Sequence, residues 1–440
     1  MCCKSFTNRL DFIAIVFLTC FSVFYFSVRR YKDVLNLEDN DDQPSHVNNS
    51  YTTKAPSSES TNRIEDNDSV DIVYTWVNGS DERFKHDLET FLKVLNRKQG
   101  DVLVLNRYFD FGPLKYSLRS VEQNANWIRK IFLVTNGQIP SWLRLDNPRL
   151  TLVTHEEIFQ NKNDLPTFAS QAVECHLHRI KGLSKKFIYM SNDIIFTSAV
   201  VLEDFVTQSG EVKVRFYKGG LKRCNKKCPP ERVNNRKCDQ ICYTESCEWD
   251  GDDCIGKDVD PYSKSDQNFM FDAWKGSILH TYFLFNKAFG PRSRQIPNSG
   301  PHLFDKDILR QLNERFPDEW KSTSSQKLRH HLTVNLQFAY YNFLVDAIMR
   351  GISGIRTRTI EPTKCCEMEM LAIDNREDDL WKQQLLNTNR SKKLQKPKYL
   401  IVTGNFTRPL NSQRINDIKR DLENFFEKMF PKPSTFERKI

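Results

Sequence analysis

Three small polar residues, Ser191, Asn192 and Asp193, interrupt an otherwise apolar run at residues 187–196. The run is rich in aromatic and β-branched residues, which predicts a buried strand with a carboxylate at its end. Open α/β sheets bind ligands at such strand ends, and a carboxylate there can hold a divalent metal against a diphosphate. The alternative is an ordinary turn, because Asn and Asp also favour turns.

The preceding chain alternates between strand and helix patterns, and these elements must position the polar triplet. Strand patterns occur at residues 71–77, 131–135 and 150–153. Leu114, Leu118 and Val121 have helical spacing between the first two of these strands. The alternation predicts an α/β, Rossmann-like sheet with helices on its faces, in which residues 187–196 form the next strand pair.

Further elements are predicted after residue 300. Asp305 caps an expected helix that stops at Pro317, and a second, largely apolar helix spans residues 332–349. A strand at 399–402 precedes a last helix capped by Ser412. Residues 351–398 show no pattern that predicts an element.

Chain length and net charge limit the number of domains and the kinds of ligand that this protein can have. The 440 residues allow two to three domains, and the net charge is +9. Residues 1–69 carry seven basic and ten acidic residues, or −3, which leaves about +12 for the remainder. Because those basic residues are interspersed with acids, no nucleic-acid groove is indicated. The charge would attract anionic substrates, and plain solubility is the alternative.

The N-terminal segment predicts a membrane anchor. Residues 12–28 form an apolar run of 17 residues between basic flanks, the lower limit for a spanning helix. We expect a cytoplasmic tail at 1–11, a single-pass type II signal anchor at 12–28 and a disordered stem at 29–69. A cleaved signal peptide is the competing interpretation, although no small-x-small site follows the run. Glycosylation sequons fit a lumenal location for the rest of the chain and occur at Asn48, Asn67, Asn78, Asn389 and Asn405.

Half of the twelve cysteines fall in one short block, which predicts disulfides and an oxidising compartment. The six are Cys224, Cys228, Cys238, Cys242, Cys247 and Cys254. Fifteen connectivities are possible for six cysteines. Hard oxygen donors suited to Ca²⁺ accompany them, namely Asn235, Asp239, Asp250 and Asp253. A zinc site is the rival interpretation.

Long stretches of the chain resemble the Stealth family. They include DIVYTWVNGSD from residue 71, LPTFASQAVECHLHRIKGLSKKFIYMSND from residue 165, and the downstream Pro301-His302 and QFAYYNF segments. The resemblance implies a nucleotide-sugar transferase core in two parts, residues 70–220 and 257–440, and a Golgi membrane location. The block at 221–256 resembles a Lin12/Notch repeat, which implies the pairs Cys224–Cys247, Cys228–Cys242 and Cys238–Cys254.

The family reaction moves N-acetylglucosamine-1-phosphate from UDP-N-acetylglucosamine to the 6-hydroxyl of mannose on high-mannose glycoproteins such as lysosomal enzymes. The resemblance implies Mg²⁺ or Mn²⁺ at the active site, held by Asp193, and Ca²⁺ in the repeat. Catalytic roles are expected for Asp71, Asp193, His302, Arg329 and His330. Substrate contacts are expected for Trp76, Asn78, Gly79, Arg119 and Asn192. An oligomer is possible.

This chain departs from the family pattern at four places. Ile194 replaces the second Asp of Asn-Asp-Asp, and Ser299 stands where an additional His is usual. Val334-Asn335 replaces Glu-Asp, and Thr403-Gly404 replaces Asn-Asp. Each change removes an acid or a base. The sequence therefore leaves two functions open, an active transferase and a catalytically weakened paralogue that binds nucleotide-sugar, glycan or protein.

Overall fold

The computed structural model describes residues 69–94, 108–217, 237–239, 242, 273–290, 292, 294–351, 355–360, 368–374, 397–405 and 410–438. The expected anchor at 12–28 lies outside these ranges, as does the stem apart from residue 69. Among the described helices, none combines the length and the apolar character needed to cross a bilayer.

The described strands form three sheets. The strands are β1 (Val70–Thr75), β2 (Ile131–Thr135), β3 (Leu150–Thr154), β4 (Lys186–Ser191), β5 (Ile194–Phe196), β6 (Val212–Arg215), β7 (His302–Asp305), β8 (Thr357–Ile360), β9 (Met368–Asp374) and β10 (Tyr399–Asn405). The largest sheet has the order β3-β2-β1-β4-β7, parallel except for β7. The smaller sheets are β5-β10-β9 and β6-β8.

The helices connect and cover these sheets. They are α1 (Glu82–Val94), α2 (Pro113–Asn124), α3 (His155–Ile158), α4 (Ser170–Glu174), α5 (Ala273–Phe289), α6 (Lys306–Arg315), α7 (Pro317–Ser324), α8 (Leu336–Met349) and α9 (Ser412–Met429). Asp305 caps α6 as expected, because its side chain accepts a hydrogen bond from the Asp307 amide. The cap of α9 is Asn411 and not Ser412, which is the first residue of the helix.

The apolar residues of the large sheet alternate between two cores, as the period of a strand requires. Along β1, Val73 packs in one cluster with Phe187 of β4, while Ile72 and Tyr74 pack in the other with Ile188. Both faces are buried, which explains the nearly continuous apolar runs of these strands. The predicted α/β sheet is confirmed, with one correction: β5 leaves the large sheet and pairs with β10.

Strand order places a ligand site at a defined point of the large sheet. β1 lies between β2 and β4, so the order reverses there, and the carboxyl ends of β1 and β4 meet where Thr75 pairs with Ser191. Open α/β sheets bind ligands outside the strand ends at such a reversal. Residues 192–193 follow directly.

Candidate active site

A cavity of about 570 Å³ opens at the carboxyl ends of β1 and β4. We call it the main cavity. Its wall includes Trp76 after β1, Asn192 and Asp193 after β4, and Glu174 at the end of α4. Further polar groups come from β7, α8 and the loops before them, and they include Asn298, Ser299, His302, Arg329, Asn335 and Gln337.

Asp193 lies in the wall of the main cavity, as the sequence predicts for a ligand-binding carboxylate. Two hydrogen bonds fix its position. The Ser191 hydroxyl donates to Asp193 Oδ1, and the Val402 amide donates to the Asp193 backbone carbonyl at 3.0 Å. Burial raises the pKa of this carboxyl, and the nearby positive charge of Arg329 partly offsets the rise. The site therefore favours a cation or a proton next to Asp193.

His302 reaches the same cavity from β7, where it pairs with Tyr189 of β4. Its ring stacks on Phe304 with the two planes 6° apart and 6.0 Å between centroids. Burial lowers the pKa of His302 to about 4, so the imidazole is neutral near pH 7. A neutral imidazole in a cavity wall can accept a proton from a hydroxyl.

Arg329 and His330, which are adjacent in the loop before α8 and were both expected to be catalytic, have different surroundings. Arg329 lines the main cavity, where its guanidinium can meet phosphate oxygens. His330 instead stacks on His331, with 4.2 Å between ring centroids, and its Nδ1 accepts the Leu332 amide at 3.2 Å. The structure thus gives Arg329 access to a ligand and makes His330 part of the loop.

Glu174 is a cavity residue that sequence reasoning missed. It is 7% exposed and its carboxylate accepts hydrogen bonds from the Tyr189 hydroxyl at 3.1 Å and from Gln337 Nε2 at 3.3 Å. Burial raises its pKa. The residue lies within the Stealth-like stretch, but an acid on a short helix is usually solvated, and only the fold shows that this one faces a cavity.

Glu174→Gln is expected to change stability in a pH-dependent way. In the wild type the folded pKa is raised, so the folded state binds more protons than the unfolded state once pH exceeds the unfolded pKa of about 4.3. Wild-type stability is therefore lost as pH rises, by up to about 1.4 kcal/mol per pH unit, and the variant escapes this loss.

Urea unfolding at a series of pH values measures the difference. The variant should match the wild type near pH 4 and become the more stable protein towards neutral pH. A difference that is constant with pH would contradict the burial of an ionisable group at this position.

Asp71 is not an active-site residue, which corrects the sequence prediction. It lies at the amino end of β1, four residues before Thr75 or roughly 13 Å at the rise of a strand. Its fully buried carboxylate accepts two hydrogen bonds from Arg129, at 2.9 and 2.6 Å, and one from the Ser184 amide at 2.7 Å. The residue ties β1 to the segments that enter β2 and β4.

Arg119 is also a structural residue and not a phosphate ligand. Its guanidinium binds both carboxylate oxygens of Glu437 at 2.7 Å, Glu427 at 2.8 Å and the Phe430 carbonyl at 2.7 Å. These partners belong to the end of α9 and the segment beyond it. Arg119 therefore fastens the C-terminal segment to α2.

The expected substrate-binding residues after β1 differ in whether they reach the main cavity. Trp76 lines the main cavity, and its indole nitrogen donates to Asp110 at 2.8 Å. Asn78 closes a turn by accepting the Ser80 amide. Gly79 lies against Tyr108 so closely that a Cβ would come within 2.1 Å of the Tyr108 carbonyl oxygen. Of the expected substrate-binding residues Trp76, Asn78 and Gly79, only Trp76 lines the main cavity.

A divalent metal fits the residues at the end of β4. Mg²⁺ is often bound through one or two protein carboxylates together with substrate phosphates, and Asp193 with the Asn192 amide can supply such oxygens. Within the described ranges, no group of three or more His, Cys, Asp or Glu residues has the geometry of a metal site.

The predicted calcium and disulfide block is only partly described. Cys238 and Cys242 each take part in a disulfide, and Cys238 packs against the cluster that contains Ile278 and Phe338. Asp239 accepts the Cys242 amide through its backbone carbonyl at 2.7 Å. The other members lie outside the described residues, so the pairing and the calcium site stay predictions; these are Cys224, Cys228, Cys247, Cys254, Asn235, Asp250 and Asp253.

All four departures from the family pattern line the main cavity. Its wall contains Ile194, Ser299, Asn335, Thr403 and Gly404. Glu174 and Asp193 are the carboxylates among its described lining residues. The changes thus gather at one place, where they replace acids and bases by neutral groups.

The chain has an α/β fold with a cavity at the point where its strand order reverses. Family models of Stealth proteins match this chain in three regions: conserved region 1 at residues 68–92, region 2 at 107–214 and region 3 at 300–346. An LNR domain model matches residues 221–255. The match to the LNR model lies between the matches to the second and third Stealth regions, which agrees with the resemblance found in the sequence.

Relatives from animals and bacteria have phosphotransferase names. The chain is 49% identical to the mouse and 48% identical to the human N-acetylglucosamine-1-phosphotransferase subunits alpha/beta, each over 159 residues. These matches cover 36% of this chain but only 13% of each relative. A match to the capsular polysaccharide phosphotransferase SacB of Neisseria meningitidis, at 26% identity, covers 84% of this chain and 57% of that protein.

Solved structures give a weaker comparison. The galactosyltransferase LgtC, in complex with donor and acceptor sugar analogues, aligns with 83% of this chain and 97% of its own, at 9% identity and a TM-score of 0.33.

Proposed function

We propose that the protein transfers a sugar phosphate from UDP-N-acetylglucosamine to mannose residues of glycoproteins. The main support is one observation: Asp193, His302, Arg329 and Glu174 converge in a single cavity at the carboxyl ends of β1 and β4. The relatives are named as phosphotransferases, which supports this class of reaction. The matched region spans about an eighth of the mouse and human proteins, so the reaction of those whole proteins is a proposal for this chain.

In the proposed reaction, the acceptor hydroxyl oxygen forms a bond to the phosphorus of the sugar phosphate. The bond from that phosphorus to the oxygen shared with UMP breaks, UMP leaves, and the hydroxyl proton passes to a base. Catalysis of this kind depends on positioning and on stabilising charge at the phosphoryl oxygens. A bound Mg²⁺ or Mn²⁺ would neutralise negative charge on the diphosphate.

Residues of this chain can fill the remaining roles. Neutral His302 accepts the hydroxyl proton: burial lowers its pKa to about 4 and so leaves the ring unprotonated, and the negative charge of a bound diphosphate raises its basicity. Arg329 binds phosphoryl oxygens and stabilises the charge that develops there. Asp193 and Asn192 would hold the cation. Glu174, in the cavity wall, accepts hydrogen bonds, and a sugar hydroxyl can also donate there.

The neutral residues at the four departures favour a second candidate function. With Ile194, Ser299 and Asn335 in the wall, the cavity keeps fewer groups that bind a metal or move a proton. A weakened paralogue would still bind the nucleotide-sugar through Arg329 and the aromatic wall. It would serve as a binding module for that ligand, for a glycan or for a protein partner.

An assay with the full-length protein separates the two. Labelled UDP-N-acetylglucosamine and an α-mannoside are incubated with the protein and Mg²⁺ or Mn²⁺, and nucleotide binding is measured in parallel. Transfer supports the first function. Binding without transfer supports the second, and the double variant Ile194→Asp, Ser299→His should then gain activity, whereas Ile194→Asn, Ser299→Asn should not. Absence of both binding and transfer would contradict the transferase function and would remove the nucleotide-sugar as the ligand of the second function.

Location and cofactors complete the proposal. A Golgi membrane location with a lumenal catalytic portion fits the sequons and the disulfide-bonded Cys238 and Cys242. We include Ca²⁺ in the LNR domain on the basis of its acidic residues. Chelation should then increase the protease sensitivity of residues 221–256, and unchanged sensitivity would remove Ca²⁺ from the proposal.

A further inference from the structure

Glu174 belongs to a chain of hydrogen bonds whose members all line the main cavity. The Tyr189 hydroxyl donates to Glu174 Oε1 at 3.1 Å and lies 3.1 Å from the Thr75 hydroxyl oxygen. On the other side, Gln337 Nε2 donates to Glu174 Oε2 at 3.3 Å. The chain thus joins the carboxyl end of β1 to β4, to the end of α4 and to the first turn of α8.

The two donors hold the carboxylate from both sides. An ionised carboxylate only accepts hydrogen bonds, so the Tyr189 proton points to Glu174 and the Thr75 hydroxyl can donate to Tyr189 in turn. Tyr189 and Glu174 are 5% and 7% exposed, which shields their bond from water. Each carboxylate oxygen has two lone pairs, so Glu174 keeps an acceptor position on each oxygen for a ligand in the cavity.

Tyr189 also relates Glu174 to the proposed base. Tyr189 of β4 pairs directly with His302 of β7, so the two side chains lie on the same face of the sheet. Both rings stack on Phe304, with 6.1 Å and 6.0 Å between the centroids. The residue that holds the carboxylate is therefore the cross-strand neighbour of the residue that would accept the hydroxyl proton.

Charge decides which part of the reaction this carboxylate can serve. Burial raises the pKa of Glu174, and the bonds from Tyr189 and Gln337 together with the charge of Arg329 act in the opposite direction. A diphosphate next to Glu174 would add a second negative charge and repel it. The hydroxyl groups of a neutral sugar would instead donate to the free acceptor positions and stabilise the ionised carboxylate.

We propose that Tyr189 and Gln337 are positioning residues for the sugar acceptor, because they hold the Glu174 carboxylate in the orientation that accepts a hydrogen bond from that sugar. Thr75 supports Tyr189 from the end of β1. The role toward the acceptor rests on the proposed function. The fixing of Glu174 by its two donors does not.

Calorimetric titration of the full-length protein with methyl α-mannoside, and separately with UDP, tests the role toward the acceptor. Tyr189→Phe should weaken mannoside binding roughly three- to tenfold, the effect of one hydrogen bond, and leave UDP binding unchanged. Gln337→Met should act in the same way, and it serves if Tyr189→Phe fails to fold. In a Glu174→Gln background neither change should weaken mannoside binding further, because both residues act through that carboxylate.

Two matched controls remove similar groups elsewhere. Tyr340 is also a buried tyrosine, and its hydroxyl accepts the Asp305 amide at 2.8 Å opposite the amino end of β4. Gln413 donates through Nε2 to Asp417 at 3.2 Å on the exposed side of α9. Tyr340→Phe and Gln413→Met should keep wild-type affinity for the mannoside.

Urea unfolding at a series of pH values tests the fixing of Glu174 without any ligand. Each donor stabilises the charged carboxylate, so its removal should raise the pKa of Glu174 further. A folded pKa above the unfolded value means that stability is lost as pH rises towards the folded pKa. Measured against the same variant with Glu174→Gln, this loss should therefore extend to higher pH in Tyr189→Phe and in Gln337→Met than in the wild type.

The two experiments can fail separately. Wild-type mannoside affinity in both variants, an equal loss in Tyr340→Phe, or an equal loss of UDP affinity would overturn the role toward the acceptor. An unchanged pH range of the stability loss would overturn the fixing of Glu174. If the wild-type protein binds no mannoside, the role toward the acceptor fails together with the proposed function, and the pH range still decides whether Tyr189 and Gln337 hold the carboxylate.

Discussion

Asp193→Asn is expected to lower the rate of sugar-phosphate transfer by about 100-fold or more, the loss typical of removing one charged group from a site that stabilises a transition state. The substitution keeps the shape of the side chain and its bond with Ser191, but it removes the charge that would hold a cation. Because burial raises the pKa of this carboxyl, the folded state is penalised for its charge. The variant should therefore be at least as stable as the wild type near pH 7.

Initial rates at saturating donor and acceptor, together with thermal unfolding, check both parts of this prediction. Asp146→Asn is the control, since its side chain is 74% exposed and pairs with Arg144 on the surface. That variant should match the wild type. Full activity in Asp193→Asn would mean that this carboxylate takes no part in the reaction, and a large loss of stability would mean that it has a structural role.

Arg119→Met is expected to lower the free energy of unfolding by roughly 3–5 kcal/mol, the cost of leaving one partner of a buried ion pair alone. Most of this cost comes from Glu437, whose side chain is only 7% exposed and would keep only the Ser434 hydrogen bonds and Lys115, at 3.9 Å, once the guanidinium is removed. Glu427, at 39% exposure, can turn to water and adds little. The change should also loosen the segment after α9.

Urea unfolding measures the stability, and titration with UDP measures the affinity of the folded protein. Arg144→Met, on the exposed surface, serves as the control for removal of an arginine. Unchanged UDP affinity would agree with a structural role for Arg119. A stable protein with weakened UDP binding would instead restore the phosphate-binding role that the sequence predicts.

The large sheet could be predicted because its strands are buried on both faces and are separated by clear turns. Residues 131–135 and 150–153 become β2 and β3 nearly as expected. Strands β8 and β9 were missed, since a segment such as Met368–Asp374 mixes charged and apolar residues without strict alternation. Their pairing with β6 and β10 is set by tertiary contacts and not by local sequence.

Of the residues that the sequence assigns to the candidate site, Asp193, His302 and Arg329 line the main cavity, whereas Asp71 and Arg119 do not. A strand pattern does not say which end of the strand faces the ligand, and Asp71 lies at the amino end of β1. The partner of Arg119, Glu437, is 318 residues away along the chain, so a helix pattern cannot reveal the pair. Glu174 was missed because nothing in the local sequence shows that its side chain is buried; its burial depends on the fold.

Hydrogen exchange with and without UDP-N-acetylglucosamine tests the location of the ligand most directly. If the main cavity binds the donor, amides at 167–174, 298–302 and 329–337 should exchange more slowly with ligand. Amides around Arg129 and Ser184, at the amino ends of the strands, should not change. Slower exchange at the amino ends, with none around Asp193 and His302, would contradict the assignment of this cavity as the active site.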